Sequence, residues 1–359
     1  MDIEVIQSQS DSDRAREVLE TDLGFGKVFA DRMFEMHYDE ARGGWERAAI
    51  VPYGPFRMDP ASMVFHYGQE IFEGHKAYRW PDGRIAMFRP EENAKRMNRS
   101  AARMRMPQID VEVQLDAAFK LVDRLRDWVP AADGSSLYLR PTMIATEKGL
   151  GVRPSRQYLY FVIASPVGPY YSSGFAPIAV KVEDRYIRAV AGGTGAAKTG
   201  GNYAAGLLAQ ADAREEGYNG VLWLDAKGRR DIEEIGAMNM MVVIEDKIVT
   251  APLTGSILPG ITRESILKLA PTLGLEVEER KVSIEEVIER VRDGSLSEAF
   301  GAGTAAVITP IGTLGYKGSK LSITGDKVGP VANLLYESLT NIQFGRAADP
   351  YGWMTVLDD

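Results

Sequence analysis

In residues 192–203 the chain reads Gly192-Gly193-Thr194-Gly195-Ala196-Ala197-Lys198-Thr199-Gly200-Gly201-Asn202-Tyr203, a nest of small residues around a single amine. Such a run lets backbone approach a bulky group closely, or leaves room for one. Three chemistries are open to the lysine. It can be a solvated side chain on a surface loop. It can end a phosphate-binding loop of the form G-x-x-x-x-G-K-[ST], with Gly192 first, Ala197 replacing the second glycine, and Lys198-Thr199 last. Val221-Leu222-Trp223-Leu224-Asp225 then offers a magnesium ligand, but paired Gly200-Gly201 disfavours the helix that loop needs. The third chemistry is condensation of the amine with an aldehyde cofactor.

The aldehyde reading demands a phosphate cup and an acid for the ring nitrogen. Leu258-Pro259-Gly260-Ile261-Thr262-Arg263 suits the cup, with Gly260 in a close turn and Thr262 as N-cap of an amphipathic helix. Phe300-Gly301-Ala302-Gly303-Thr304-Ala305-Ala306 matches a G-x-G-x-x-A dinucleotide fingerprint. The following Val307-Ile308-Thr309-Pro310-Ile311 is β-branched and broken by proline, so no helix opens there. A turn offering N–H groups to an anion fits better. Ile232-Glu233-Glu234-Ile235-Gly236 supplies two acids, either able to keep a ring nitrogen protonated.

The elements that hold these groups show in the periodicity. Residues 91–104 and 111–128 have helical spacing, the second with Leu115, Phe119, Val122 and Leu125 on one face. Residues 84–89, 136–142 and 158–163 read as strands. Pro166-Val167-Gly168-Pro169-Tyr170-Tyr171-Ser172-Ser173-Gly174 gathers turn formers and reads as a domain linker. Beyond it come helix 203–216, strands 221–224 and 238–244, helix 283–292 with a Ser283/Glu286 capping box and a Gly294 stop, and helix 328–344. Mixed α and β in both halves of 359 residues predicts two domains of the α/β or α+β kind.

Composition narrows the class further. Net charge is −8, from 42 basic and 50 acidic residues, which argues against a nucleic-acid surface. Zero cysteines removes disulfides and thiolate sites and suits a reducing cytoplasm. His37, His66 and His75 are too scattered for a metal cage. Met1 to Arg14 is polar and acidic, with no apolar core for a signal peptide, and no apolar run is long enough to span a membrane, so no membrane partner is expected.

Taken in order, His66-Tyr67-Gly68-Gln69-Glu70-Ile71-Phe72-Glu73-Gly74, Ser136-Leu137-Tyr138-Leu139-Arg140-Pro141-Thr142, Ser165-Pro166-Val167-Gly168-Pro169-Tyr170, Lys198-Thr199-Gly200-Gly201-Asn202-Tyr203, Glu234-Ile235-Gly236-Ala237-Met238-Asn239 and Leu258-Pro259-Gly260-Ile261-Thr262-Arg263 resemble the branched-chain aminotransferases. These are fold-type IV pyridoxal-phosphate enzymes, and the resemblance spans nearly the whole chain. It implies a small domain at 1–170, a linker at 171–183 and a cofactor domain at 184–359, with the cofactor in the cleft between domains. Lys198 would carry pyridoxal 5'-phosphate as a Schiff base and shuttle the proton. Glu234 would pair with the ring nitrogen and Tyr203 with the ring oxygen, while Arg96, Ile261, Thr262 and Thr304 would hold the phosphate. Phe29, Tyr67, Phe72, Tyr138 and Tyr170 would line the substrate pocket. Ala305 and Ala306 would bind the α-carboxylate, and Arg140 the distal carboxylate of glutamate. Val152, in Gly149-Leu150-Gly151-Val152-Arg153, would come from the neighbouring subunit of a homodimer. The implied reaction passes the amino group of leucine, isoleucine or valine to 2-oxoglutarate. The rivals are a D-amino-acid aminotransferase or an aminodeoxychorismate lyase of the same fold, and a P-loop protein.

Overall fold

A computed structural model describes residues 2–6, 12–169 and 174–357. The chain divides into two compact units, one formed by Met1–Ser172, Ala197–Gly200 and Asn341–Asp359, the other by Ser173–Ala196 and Gly201–Thr340.

The first unit is built on a largely antiparallel sheet. From one edge its main path runs through Glu4–Val5, Gly44–Pro52, Arg32–Asp39, Gln157–Val167, Ser136–Ala145, His75–Arg79, Ile85–Phe88 and Met354–Val356, and Glu70–Phe72 pairs alongside Ser136–Ala145. Alternation along Ser136–Ala145 sends Leu137, Leu139 and Met143 into the core and leaves Tyr138 and Arg140 on the opposite face. The helices Pro90–Arg103 and Val111–Arg124 cover the core face with Met97, Ala101, Ala118, Leu121 and Val122, all in one buried cluster with Phe34, Trp128 and Tyr160. The helix expected over 111–128 ends at Arg124, followed by a 3-10 turn, Arg126–Trp128.

In the second unit six strands close on themselves. The order Ile232–Ile235, Gly220–Leu224, Ile178–Glu183, Val307–Tyr316, Leu296–Gly303, Met238–Ile244 returns to Ile232–Ile235 through Glu234↔Asn239 and Ile235↔Met238. Such a ring has no free edge except where Lys247–Thr250, Glu276–Glu279 and Ser319–Ser322 add on. The helix Leu207–Glu215 buries Ala209 and Ala213 against Val221 and Trp223. Half of the expected capping box forms: Ser283 Oγ accepts from Glu286 N–H at 3.0 Å, while the Glu286 carboxylate accepts from Arg280 and Arg290, and Gly294 ends the helix in the left-handed region at φ 81°.

Three organisational expectations need correction. Residues 178–183 are not linker but a strand, paired in parallel with Gly220–Leu224 and Val307–Tyr316. Residues 341–359 belong to the first unit, where Met354–Val356 pairs with Ile85–Phe88 and the Trp80 indole donates to the Gln343 carbonyl at 3.1 Å. Gly200-Gly201 does open a short helix, Gly200–Ala204. Local composition registers turns, but these assignments follow from pairing partners far away in sequence.

Candidate active site

In the first unit the peptide of Lys198 is held at both ends. Its N–H donates to Ser100 Oγ at 2.9 Å, and its carbonyl accepts from Phe72 N–H at 2.9 Å. Its Nζ lies 4.6 Å from the Phe72 ring centroid. Pro90 at the first helical position starts the helix that carries Ser100. Arg96 and Ser100, four apart, share one helical face, and both are buried. Arg96 Nε and Nη2 reach the two carboxylate oxygens of Glu73 at 2.7 and 2.9 Å, and Asn93 Nδ2 donates to Glu73 at 2.8 Å. Burial, together with the Arg96 charge beside it, pushes the Lys198 ammonium down to about 8, although Glu73 pulls the other way. Burial alone would raise the Glu73 carboxyl, yet Arg96 and Lys198 hold it below its ordinary value. The amine is therefore poised to lose its proton near neutrality, as a Schiff-base lysine requires.

Arg140 and Tyr138 project from the same strand face. Arg140 Nη2 donates to the Tyr138 hydroxyl at 3.2 Å, and the guanidinium lies 4.7 Å from the Phe72 ring centroid. Its buried Nε has no hydrogen-bond partner among the described residues. Gly74 is required here, because a Cβ would overlap the Tyr138 hydroxyl. Phe29 is half-buried and stacks on Tyr53 at 5.4 Å, while Phe25 meets Tyr138 edge-on at 5.0 Å. Tyr67 is partly exposed and donates its hydroxyl to the Leu150 carbonyl. Val152 is 85% exposed, on a loop braced by Arg153 against Glu147 at 2.8 Å. Tyr170 lies outside the described residues.

In the second unit Glu233 and Glu234 lie within the strand Ile232–Ile235. Glu234 is buried, accepting from Leu258 N–H at 2.8 Å and pairing with Arg188 Nε at 3.1 Å. Arg188 Nη2 also donates to the carbonyls of Gly195 and Ser256. Glu233 takes the Ser256 hydroxyl at 2.5 Å, and burial raises its pKa. The two adjacent acids are thus distinct: one is matched to a cation and the other to a neutral hydroxyl.

The helix Ile261–Leu269 is capped by the extended Gly260, without a side-chain bond. Thr262 is therefore not the N-cap but a buried first-turn residue, because Gly260 already makes the turn where a Cβ would overlap Asn239 Oδ1. The first-turn N–H groups of a helix carry its positive end. Thr304, Ala305 and Ala306 form a three-residue hairpin loop between strands whose last pair is Gly303↔Val307. A left-handed residue often closes a short hairpin turn, and it is normally a glycine. Here it is Val307 at φ 61°, a β-branched residue there by constraint. Tyr203 lies in the helix Gly200–Ala204 and is half-buried.

The P-loop reading fails on local bonding. The Gly200 N–H is committed to the Glu70 carboxylate, and Asp225 spends its oxygens on the N–H groups of Lys227, Gly228, Arg230 and Asp231. Sequence reasoning gave no role to Glu70, Glu73, Ser100 or Arg188. Glu70 and Glu73 flank Phe72 in a motif quoted for its resemblance, but nothing local marks which acid meets which cation. Among the described residues no helix is long and apolar enough to cross a membrane.

Residues 70–314 match the family described as amino-transferase class IV. Branched-chain-amino-acid transaminase 1 of Bacillus subtilis (strain 168) is 49% identical over 332 residues, 92% of this chain and 93% of its own. A probable branched-chain-amino-acid aminotransferase of Streptomyces coelicolor is 50% identical over 97% of this chain and 96% of its own. The crystal structure of Escherichia coli branched-chain amino acid aminotransferase superposes with a TM-score of 0.75 at 29% identity, covering 86% of this chain and 97% of that one. The T.th. branched-chain amino acid aminotransferase, solved with pyridoxamine 5'-phosphate, gives 0.74 at 27% identity over 90% of this chain and 98% of that one.

Proposed function

This chain belongs to the amino-transferase class IV family, and on that premise we propose how its own residues carry out the reaction. It is a pyridoxal-phosphate-dependent branched-chain amino acid aminotransferase, moving the amino group of leucine, isoleucine or valine to 2-oxoglutarate. Its donor set fits the cofactor: a half-buried, desolvated amine that loses its proton near neutrality, a buried carboxylate paired with an arginine, and a helix start and hairpin rich in N–H groups. When bound, pyridoxal phosphate supplies an aldehyde for the amino group and a ring that draws electrons from the substrate α-carbon.

In this reading Lys198 holds the cofactor and then carries the proton to and from the substrate α-carbon. Glu234, held by Arg188 and the Leu258 N–H, keeps the ring nitrogen protonated. Tyr203 bonds the ring oxygen. Arg96, the Ile261 and Thr262 amides and the Thr304 hydroxyl take the phosphate, with Glu73 fixing the plane of the Arg96 guanidinium. The Ala305 and Ala306 amides bind the α-carboxylate in a loop shaped by Val307. Arg140, with its unpartnered Nε, takes the distal carboxylate of glutamate. Phe29, Tyr67, Phe72 and Tyr138 form the apolar wall and exclude water. Val152 reaches the partner subunit's pocket in a homodimer, which its exposure suits. The absence of cysteine supports a reducing, cytoplasmic setting.

The observation that carries this reading is Lys198, a half-buried lysine whose amine burial pushes down to about 8 and whose peptide is held at both the N–H and the carbonyl. The test is the visible spectrum of the purified protein. L-Leucine should bleach the yellow band and 2-oxoglutarate restore it, while D-leucine, the substrate of the D-amino-acid rival, leaves it unchanged. A colourless protein indifferent to leucine would overturn the reading.

A further inference from the structure

The two residues that follow Lys198 bond to a side chain that the proposed reaction does not use. Glu70 lies on the strand Glu70–Phe72, two residues from the Phe72 that holds the Lys198 carbonyl. Its Oε1 accepts from the Thr199 hydroxyl at 3.4 Å and from the Gly200 N–H. A Cβ at residue 200 would overlap that same oxygen, so a side chain there would push the Glu70 carboxylate aside. One short strand therefore holds three consecutive residues, 198 to 200. Burial raises the pKa of Glu70, so this carboxylate is kept at a desolvation cost.

We propose that Glu70 is a positioning residue for Lys198: by accepting from Thr199 and Gly200 it keeps the lysine's peptide on the strand, so that the amine takes its desolvated place beside the Phe72 ring. Nothing passes from Glu70 to the substrate; its effect is on where Nζ sits. The charged and titratable groups around that amine are Glu73, Arg96, Tyr138 and Arg140, and Glu70 itself lies within the field of Arg140. The proposal rests on the reading of Lys198 as the cofactor lysine only for its catalytic consequence, because the placement can be read without the cofactor.

The experiment compares the full-length parent, Glu70→Ala, Glu70→Gln and Gly200→Ala, each freed of bound small molecules. Reductive methylation with formaldehyde across a pH series, followed by peptide mass mapping, gives the pH at which Lys198 is half-reactive. The parent midpoint should lie at about 8. In Glu70→Ala and Gly200→Ala it should rise by about one unit or more toward the ordinary lysine value, as the amine leaves its desolvated site. Glu70→Gln retains an oxygen that accepts both bonds and should keep the parent midpoint. With pyridoxal phosphate and leucine, Glu70→Ala should lose about ten- to a hundredfold in kcat, with KM for leucine little changed. Glu70→Gln should recover most of that loss. An unmoved midpoint in Glu70→Ala overturns the proposal, as does a Glu70→Gln variant as displaced as the alanine. Failure of the parent to take up pyridoxal phosphate would instead strike the cofactor reading, and the methylation midpoints would still decide the role of Glu70.

Discussion

At the scale of single residues, the site concentrates groups whose protonation is set by burial. His75 points with Leu139 toward the core, has no hydrogen-bond partner at either ring nitrogen among the described residues, and is pushed by burial down to about 4. Between pH ~6.5 and ~4 the unfolded chain therefore binds a proton that the folded chain refuses, so stability falls as pH drops through that window. Replacing His75 with Leu should remove this loss and raise the unfolding midpoint by a few degrees at pH 5, a gain that shrinks at pH 8. A midpoint that falls equally at both values would mean the imidazole is satisfied in the fold. Lys198 behaves in the opposite sense for chemistry. Because its amine is neutral above about 8, the rate of pyridoxal phosphate uptake by the stripped protein should climb through that pH and then level. Stopped-flow absorbance would read the midpoint, and a rise delayed until pH ~10 would show a solvated lysine.

Among elements, the hairpin joining Leu296–Gly303 to Val307–Tyr316 shows how strain shapes a binding loop. Val307 at φ 61° costs about 1–2 kcal/mol relative to glycine, and its buried side chain returns a similar amount, about 1.5–3 kcal/mol. Val307→Gly should therefore change the unfolding midpoint little while freeing the loop. Steady-state kinetics should show a raised KM for 2-oxoglutarate with kcat largely kept, whereas an unchanged KM would exclude the loop from acid binding. This hairpin was only half legible in sequence. The β-branched, proline-broken run after Ala306 excluded a helix there, but a left-handed valine has no local signature. The same division holds elsewhere. Helical spacing marked the helix of Ser100, and alternation marked the strand of Tyr138 and Arg140. The bonds that give Lys198 its place join it to residues about a hundred positions away or more, and periodicity carries no information at that range. Gly200-Gly201 misled for the same reason, since helix propensity weighs ~1 kcal/mol per glycine and tertiary bonds outweigh it.

For the molecule as a whole, the proposed homodimer makes the site a property of two chains. Sedimentation should give twice the 39.5 kDa chain mass, and Val152→Asp should raise KM for leucine without altering the unfolding of the chain, because Val152 is 85% exposed. An active monomer would remove the partner's loop from the pocket. The whole site turns on which amine holds the cofactor, and the chain offers a natural competitor: Lys76 is buried and, like Lys198, pushed down to about 8 by desolvation. The decisive measurement is borohydride reduction of the protein loaded with pyridoxal phosphate, followed by peptide mapping of the fixed cofactor. The account predicts the adduct on Lys198 alone, and its prior discharge by L-leucine. An adduct on Lys76, or one that leucine does not prevent, would contradict it.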